Sequence, residues 1–164
     1  MKKILFAAFL ILGSFGLAQA QTDYCKDIKK EVDEMKGKTS FTTPRMGRLD
    51  NMYLLKNFSP DGTGYISIFF STTKEDAAYD FSGLYIKFND GSVLRYGDQS
   101  IDCSYLNVDD HYFYITGRLL LEDDFVSFKT KKIVSFQIAN KTLPITDAFA
   151  TKFMAWVNCI IDLK

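Results

Sequence analysis

The chain has a single histidine, His111, and it follows Asp109 and Asp110, the one place where an imidazole and carboxylates are sequence neighbours. A hydrolytic triad needs a nucleophile activated by that imidazole and a carboxylate that orients it. No G-x-S-x-G is present, and Ser104 would have to reach the histidine through folding alone. Cys103 has the alternation of a strand residue, not the helix N-terminal position that would lower a thiol pKa. His111 is therefore read as a polar residue at a hairpin turn, and no catalytic residue is assigned.

Metal and phosphate chemistry is equally poorly provided for. One histidine and three widely separated cysteines offer none of the short paired spacings that zinc sites use. The acidic turns Glu75-Asp76 with Asp80, Asp109-Asp110 and Glu122-Asp123-Asp124 could hold a hard cation if two of them converged. None has an EF-hand pattern, so they are read as solvated turns. Asp61-Gly62-Thr63-Gly64 resembles the Asp-Thr-Gly of aspartic proteases only in composition, and it follows Pro60 as a turn would. No glycine-rich loop leads into a helix, so no nucleotide is expected. No metal and no cofactor are assigned. Lys129-Thr130-Lys131-Lys132 is read as a solvated hairpin end, since it lacks the basic clustering of a nucleic-acid groove.

The aromatic content is more informative: 15 Phe, 9 Tyr and 1 Trp. Tyr85 alternates against Leu84 and Ile86, while Tyr112 and Tyr114 alternate against Phe113 and Ile115, which puts all three out of phase with a core. With Lys87, Arg95 and Thr116 they are expected to offer a tyrosine-rich sheet face to a protein or glycan, because tyrosine combines rigid contact area with a polar end. Cross-strand tyrosine pairing is the plainer alternative.

The N-terminus places that surface outside the cytoplasm. Lys2 and Lys3, the apolar run Ile4 to Leu12 and the small-residue site Ala18-Gln19-Ala20 have the order of a signal peptide, expected to cover residues 1–20 and to be cleaved before Gln21. The mature chain, residues 21–164, is then a single exported domain, periplasmic or secreted, with no membrane span left and an acid-base balance that favours neither nucleic acid nor an anionic membrane. Cys25, Cys103 and Cys159 allow one disulfide and three pairings in an oxidising compartment. Cys25 with Cys159 is preferred, because both lie near the chain ends and a bond between them would close a long loop. Such a bond is worth about 3 to 5 kcal/mol on the chain-entropy estimate. Cys103 is read as a small apolar strand residue.

Positioning these residues falls to short β-rich runs separated by turns. The expected strands are 39–43, 51–58, 64–71, 83–88, 92–96, 100–107, 112–121, 125–130 and 133–138, with Asn89-Asp90-Gly91-Ser92 as the clearest hairpin turn. Residues 64–71, apolar on both faces, mark a central strand. Cys25, Ile28, Val32 and Met35 have helical spacing and predict a short N-terminal helix over 23–36. Phe149, Phe153, Trp156, Ile160 and Leu163 form the apolar stripe of a C-terminal helix, with Thr146 as its cap.

The segment Cys25 to Thr43, with Glu31-Val32-Asp33-Glu34-Met35, Gly37 and Thr43, resembles the start of small uncharacterised secreted proteins of Bacteroidetes-type bacteria. In those a C-terminal helix carries a further cysteine, as Cys159 does here. The resemblance implies no activity. The expected fold is mainly β, an antiparallel sandwich or curled sheet of about eight to nine strands closed by an amphipathic C-terminal helix, with a lipocalin-like barrel as the rival. The expected function is that of an exported non-enzymatic binding or structural module acting on a protein or glycan of the cell envelope. A carrier of a small apolar ligand is the second reading and a carboxylate-dependent hydrolase the third.

Overall fold

The computed structural model describes residues 23–48, 50–74, 83–97, 102–109, 112–121, 125–138 and 140–163, with 74, 102–109 and 112–114 described through the backbone alone. The expected signal peptide and His111 lie outside these residues. After a 3-10 turn at Tyr24–Asp27 come β1 (Lys29–Asp33), β2 (Lys38–Thr42), β3 (Asn51–Phe58), β4 (Gly64–Lys74), β5 (Leu84–Phe88), β6 (Val93–Tyr96), β7 (Asp102–Asp109) and β8 (Tyr112–Leu120). The chain continues through α1 (Phe125–Thr130), β9 (Ile133–Ile138), β10 (Lys141–Pro144) and α2 (Asp147–Asp162). Among the described residues the ten strands form two antiparallel sheets, one in the order β1-β2-β3-β4-β8-β7 and one in the order β10-β9-β5-β6. The fold is thus mainly β with a C-terminal helix, and β4 is a central strand as its two-sided apolar pattern predicts.

Alternation decides which side of each sheet is buried. Met52 and Leu54 on β3, Ile68 and Phe70 on β4, and Ile115 and Leu119 on β8 face Leu84, Ile86 and Phe88 on β5 and Phe136 and Ile138 on β9 in one core. The Phe70 and Phe136 rings, 5.0 Å apart at 60°, join the two sheets. These facing side chains fill the middle, so the architecture is a sandwich and not a ligand-holding barrel.

Two expected elements take a different form. The N-terminal helix expected over 23–36 is only the 3-10 turn, after which Lys29–Asp33 pairs with Lys38–Thr42. A helix of about three turns is marginal alone. Of its supposed apolar side only Ile28 packs on the core, while Val32 and Met35 are 58% and 98% exposed. The strand expected over 125–130 is α1, which buries Phe128 against Phe88 at 5.5 Å and leaves Val126 in solvent. An evenly apolar run has no distinguishing period, and here it carries the chain from β8 of one sheet to β9 of the other. Between β9 and α2 the chain forms β10, entered through Asn140 at φ 65°. At the start of β9 a bulge against Lys87 and Phe88 shifts the register, so that Ile133 is buried while its neighbour Val134 is exposed.

α2 seals one end. Thr146 caps it by accepting a hydrogen bond from the Phe149 amide. Phe153, Trp156, Val157 and Ile160 are buried, while Phe149 is half-buried with its ring 5.7 Å from that of Trp156. The Trp156 indole donates to the Tyr24 carbonyl at 3.1 Å. Beside it Cys25 and Cys159 form the disulfide, with Cα atoms 5.5 Å apart. At the other end of α2, the Lys56 ammonium on β3 donates to the carbonyls of Ile160, Ile161 and Leu163 at 3.0, 2.7 and 2.8 Å, filling acceptors that the last helical turn leaves open.

Candidate sheet-face binding site

The outer face of the four-stranded sheet presents the residues that have no structural occupation. Directly paired residues share a face. With Leu84 and Ile86 buried, the opposite phase of β5 puts Tyr85 and Lys87 outside. Tyr85 pairs with Arg95 on one side and with Gln137 on the other, and Gln137 pairs with Thr142. One row, Arg95–Tyr85–Gln137–Thr142, therefore crosses all four strands. Below it Lys87 lies between Val93 and Ser135. The two rows line a shallow groove of about 450 Å³. Tyr85 and Gln137 are half-buried, and Lys87, Arg95 and Thr142 are exposed. None of these five side chains makes a hydrogen bond, ion pair or ring contact with another described residue.

The hairpin that carries Tyr85, Lys87 and Arg95 is held firmly. Gly91 takes φ 84° at its tip, a conformation that a side chain would strain. Asp90 accepts from the Ser92 amide at 2.9 Å and its hydroxyl at 2.5 Å, and pairs with Lys131 at 2.8 Å. The Lys131 and Ser92 contacts hold the Asp90 carboxyl well below the usual carboxylate range. Asn89 exchanges hydrogen bonds with Lys132, from its amide to the Lys132 carbonyl and from the Lys132 amide to its own Oδ1. At the other end of β5, Gly83 (φ 85°) leaves no space for a Cβ, which would lie 2.1 Å from the Tyr96 carbonyl oxygen.

The outer face of the six-stranded sheet is built differently. Tyr53 pairs with Phe69 and Phe69 with Arg118. The two rings stack at 5.0 Å, with the Arg45 guanidinium 4.9 Å over Tyr53 and the Arg118 guanidinium 5.9 Å over Phe69 and 5.2 Å over Tyr65. Arg118 also donates to Ser67 at 3.2 Å. The ring faces of Tyr53 and Phe69 are thus taken up by one another and by the guanidiniums, an arrangement that stabilises the sheet. A larger depression of about 700 Å³ lies beside the disulfide, between Tyr24 and the outer side of α2, where the described residues begin.

Tyr85, Lys87 and Arg95 are therefore together, as their alternation predicts. Tyr112, Tyr114 and Thr116 do not join them: all three are on β8 in the six-stranded sheet, whereas β5 pairs with β6 and β9. Alternation along a strand identifies its outward phase but not the sheet that the strand enters. The side chains of Tyr112, Tyr114 and Cys103 lie outside the described ones. Gln137 and Thr142 were not anticipated, although Gln137 alternates against Phe136 and Ile138 and carried a usable signal. The Arg45–Tyr53–Phe69–Arg118 ladder left no signal in any one segment, since it draws on a loop and three strands. Among the described residues no three Asp, Glu, His or Cys side chains gather where a metal could be held.

No family model matches the chain, and no curated protein or solved structure shows significant similarity to it.

Proposed function

We propose that the chain is an exported, non-enzymatic binding module that holds a glycan of the cell envelope on the outer face of its four-stranded sheet. The observation that carries this is the unoccupied row Arg95–Tyr85–Gln137–Thr142. It sets an aromatic ring between a guanidinium, an amide and a hydroxyl, the groups that stack on a sugar and bond its hydroxyls. Among the described residues the groove is lined by no carboxylate, imidazole or thiol, so its chemistry is that of retention. Its volume is within the range of small-ligand sites. Export is supported by the signal-like N-terminus and by the Cys25–Cys159 disulfide, a bond that persists in oxidising compartments. No described helix is long and apolar enough to cross a membrane.

A glycan fits this face better than a protein partner. Standard protein interfaces bury about 800 Å² on each side around an apolar centre. Here the one large aliphatic side chain among the described residues of the groove is Val93, 39% exposed at the sheet edge. Affinity electrophoresis through gels containing neutral or acidic polysaccharides tests the proposal. Retardation in at least one gel, reduced at least tenfold in apparent affinity by Tyr85→Ala, is the expected result. Unretarded migration in every gel would remove the glycan.

A further inference from the structure

Resting on that assignment of the groove, we propose that the glycan is acidic, carrying single carboxylates on its sugar units as a uronic acid does, and that Lys87 and Arg95 receive them. The first support is charge. Lys26, Lys36, Lys131, Lys132 and Lys141 each have an aspartate within ion-pair distance. Lys87 and Arg95 have none among the described residues, as is true of Lys29, Lys38 and Lys152, but these two share one groove whose described lining has no acidic side chain. Two uncompensated cations thus face solvent on a chain whose formal net charge is zero. They favour an anion locally, with no general attraction to polyanions behind them.

The second support is spacing. Arg95 is directly opposite Tyr85, whereas Lys87 pairs with Val93 and is the diagonal neighbour of Arg95. Diagonal positions on adjacent strands are about 7 to 8 Å apart. The stems of the two cations therefore leave the sheet at separate points beside the tyrosine. Stems rooted at separate points can reach carboxylates on neighbouring sugar units of one chain. A sugar unit over the Tyr85 ring brings its carboxylate to Arg95, whose planar fork matches a carboxylate bidentately. Gln137 and Thr142, on the far side of the ring, are left for uncharged hydroxyls.

The experiment compares polygalacturonate with the same polymer methyl-esterified, which keeps the backbone and removes the charge. The full exported protein is used with its disulfide intact, and the variants are Lys87→Gln/Arg95→Gln and Tyr85→Ala. All replaced side chains are on the outer face, and thermal unfolding of each variant checks that the fold is kept. Expected is retention on polygalacturonate at least tenfold stronger than on the ester, weakened at least tenfold between 50 and 500 mM salt. The double variant should lose the preference for the acid form, and Tyr85→Ala should lose binding to both. Equal retention on acid and ester would overturn the acidic assignment and leave glycan binding standing. Retention unchanged in Lys87→Gln/Arg95→Gln would overturn it by moving the site elsewhere. Failure to bind either polymer would overturn the acidic assignment, and capture of an envelope protein in a Tyr85-dependent way would overturn the glycan itself.

Discussion

Lys56 is the residue whose role is least apparent from its type. It is only 8% exposed, and its ammonium holds three carbonyls at the C-terminus of α2. There it meets the negative end of the helix dipole. Burial pushes its pKa below the ordinary 10.5, with Asp162 opposing, so the buried charge costs the fold something and that cost fades as pH rises toward 10.5. Lys56→Met keeps the length of the stem and leaves three acceptors without their donor. The expected loss in denaturant unfolding is about 2 kcal/mol, the scale of a buried unsatisfied group. Unchanged stability would mean that water serves those carbonyls equally well.

The elements at the two ends of the chain depend on the Cys25–Cys159 bond, which closes a separation of 134 residues. Replacing both cysteines by serine should lower unfolding free energy by about 5 kcal/mol, from the chain-entropy estimate for a loop of this length, and should loosen the N-terminal turn from α2. A shift in the urea midpoint measures it. The β5–β6 hairpin carries a separate acid sensitivity. Because the Asp90 carboxyl is held below its unfolded-state value of 3.8, its contribution to stability is complete above that pH and is lost as pH falls toward the folded value. Asp90→Asn should therefore lower stability at neutral pH and flatten the acid limb of the stability-pH profile. Parallel profiles for variant and wild type would show that the turn does not sense acid. At this scale the β5–β6 hairpin and α2 were legible, one through Asn89-Asp90-Gly91 and the other through its stripe and Thr146 cap. Residues 23–36 misled, because spacing in so short a run selects an element only when a core is present to receive its apolar side, and 125–130 misled because an evenly apolar run has no period that separates strand from helix.

For the whole molecule, the joint between the sheets is the decisive feature. Phe136→Ala removes one ring of the Phe70–Phe136 contact and should cost about 3 to 5 kcal/mol in thermal or chemical unfolding. Tyr85→Ala, on the outer face, should shift stability by no more than about 0.5 kcal/mol. Similar losses in both would contradict the assignment of inner and outer faces. The sequence by itself determined the class, the position of most strands, the C-terminal helix and the outward phase of Tyr85, because alternation, turn residues and helical spacing are local consequences of backbone geometry. Even the preferred disulfide followed from where the cysteines stand in the chain. Only the tertiary structure decided that β5 and β8 enter different sheets, separating Tyr85 from Tyr112 and Tyr114, and that Gln137 and Thr142 complete the row beside Tyr85. Strand pairing between distant segments is set by how two apolar surfaces fit over one core, and no single segment carries that fit.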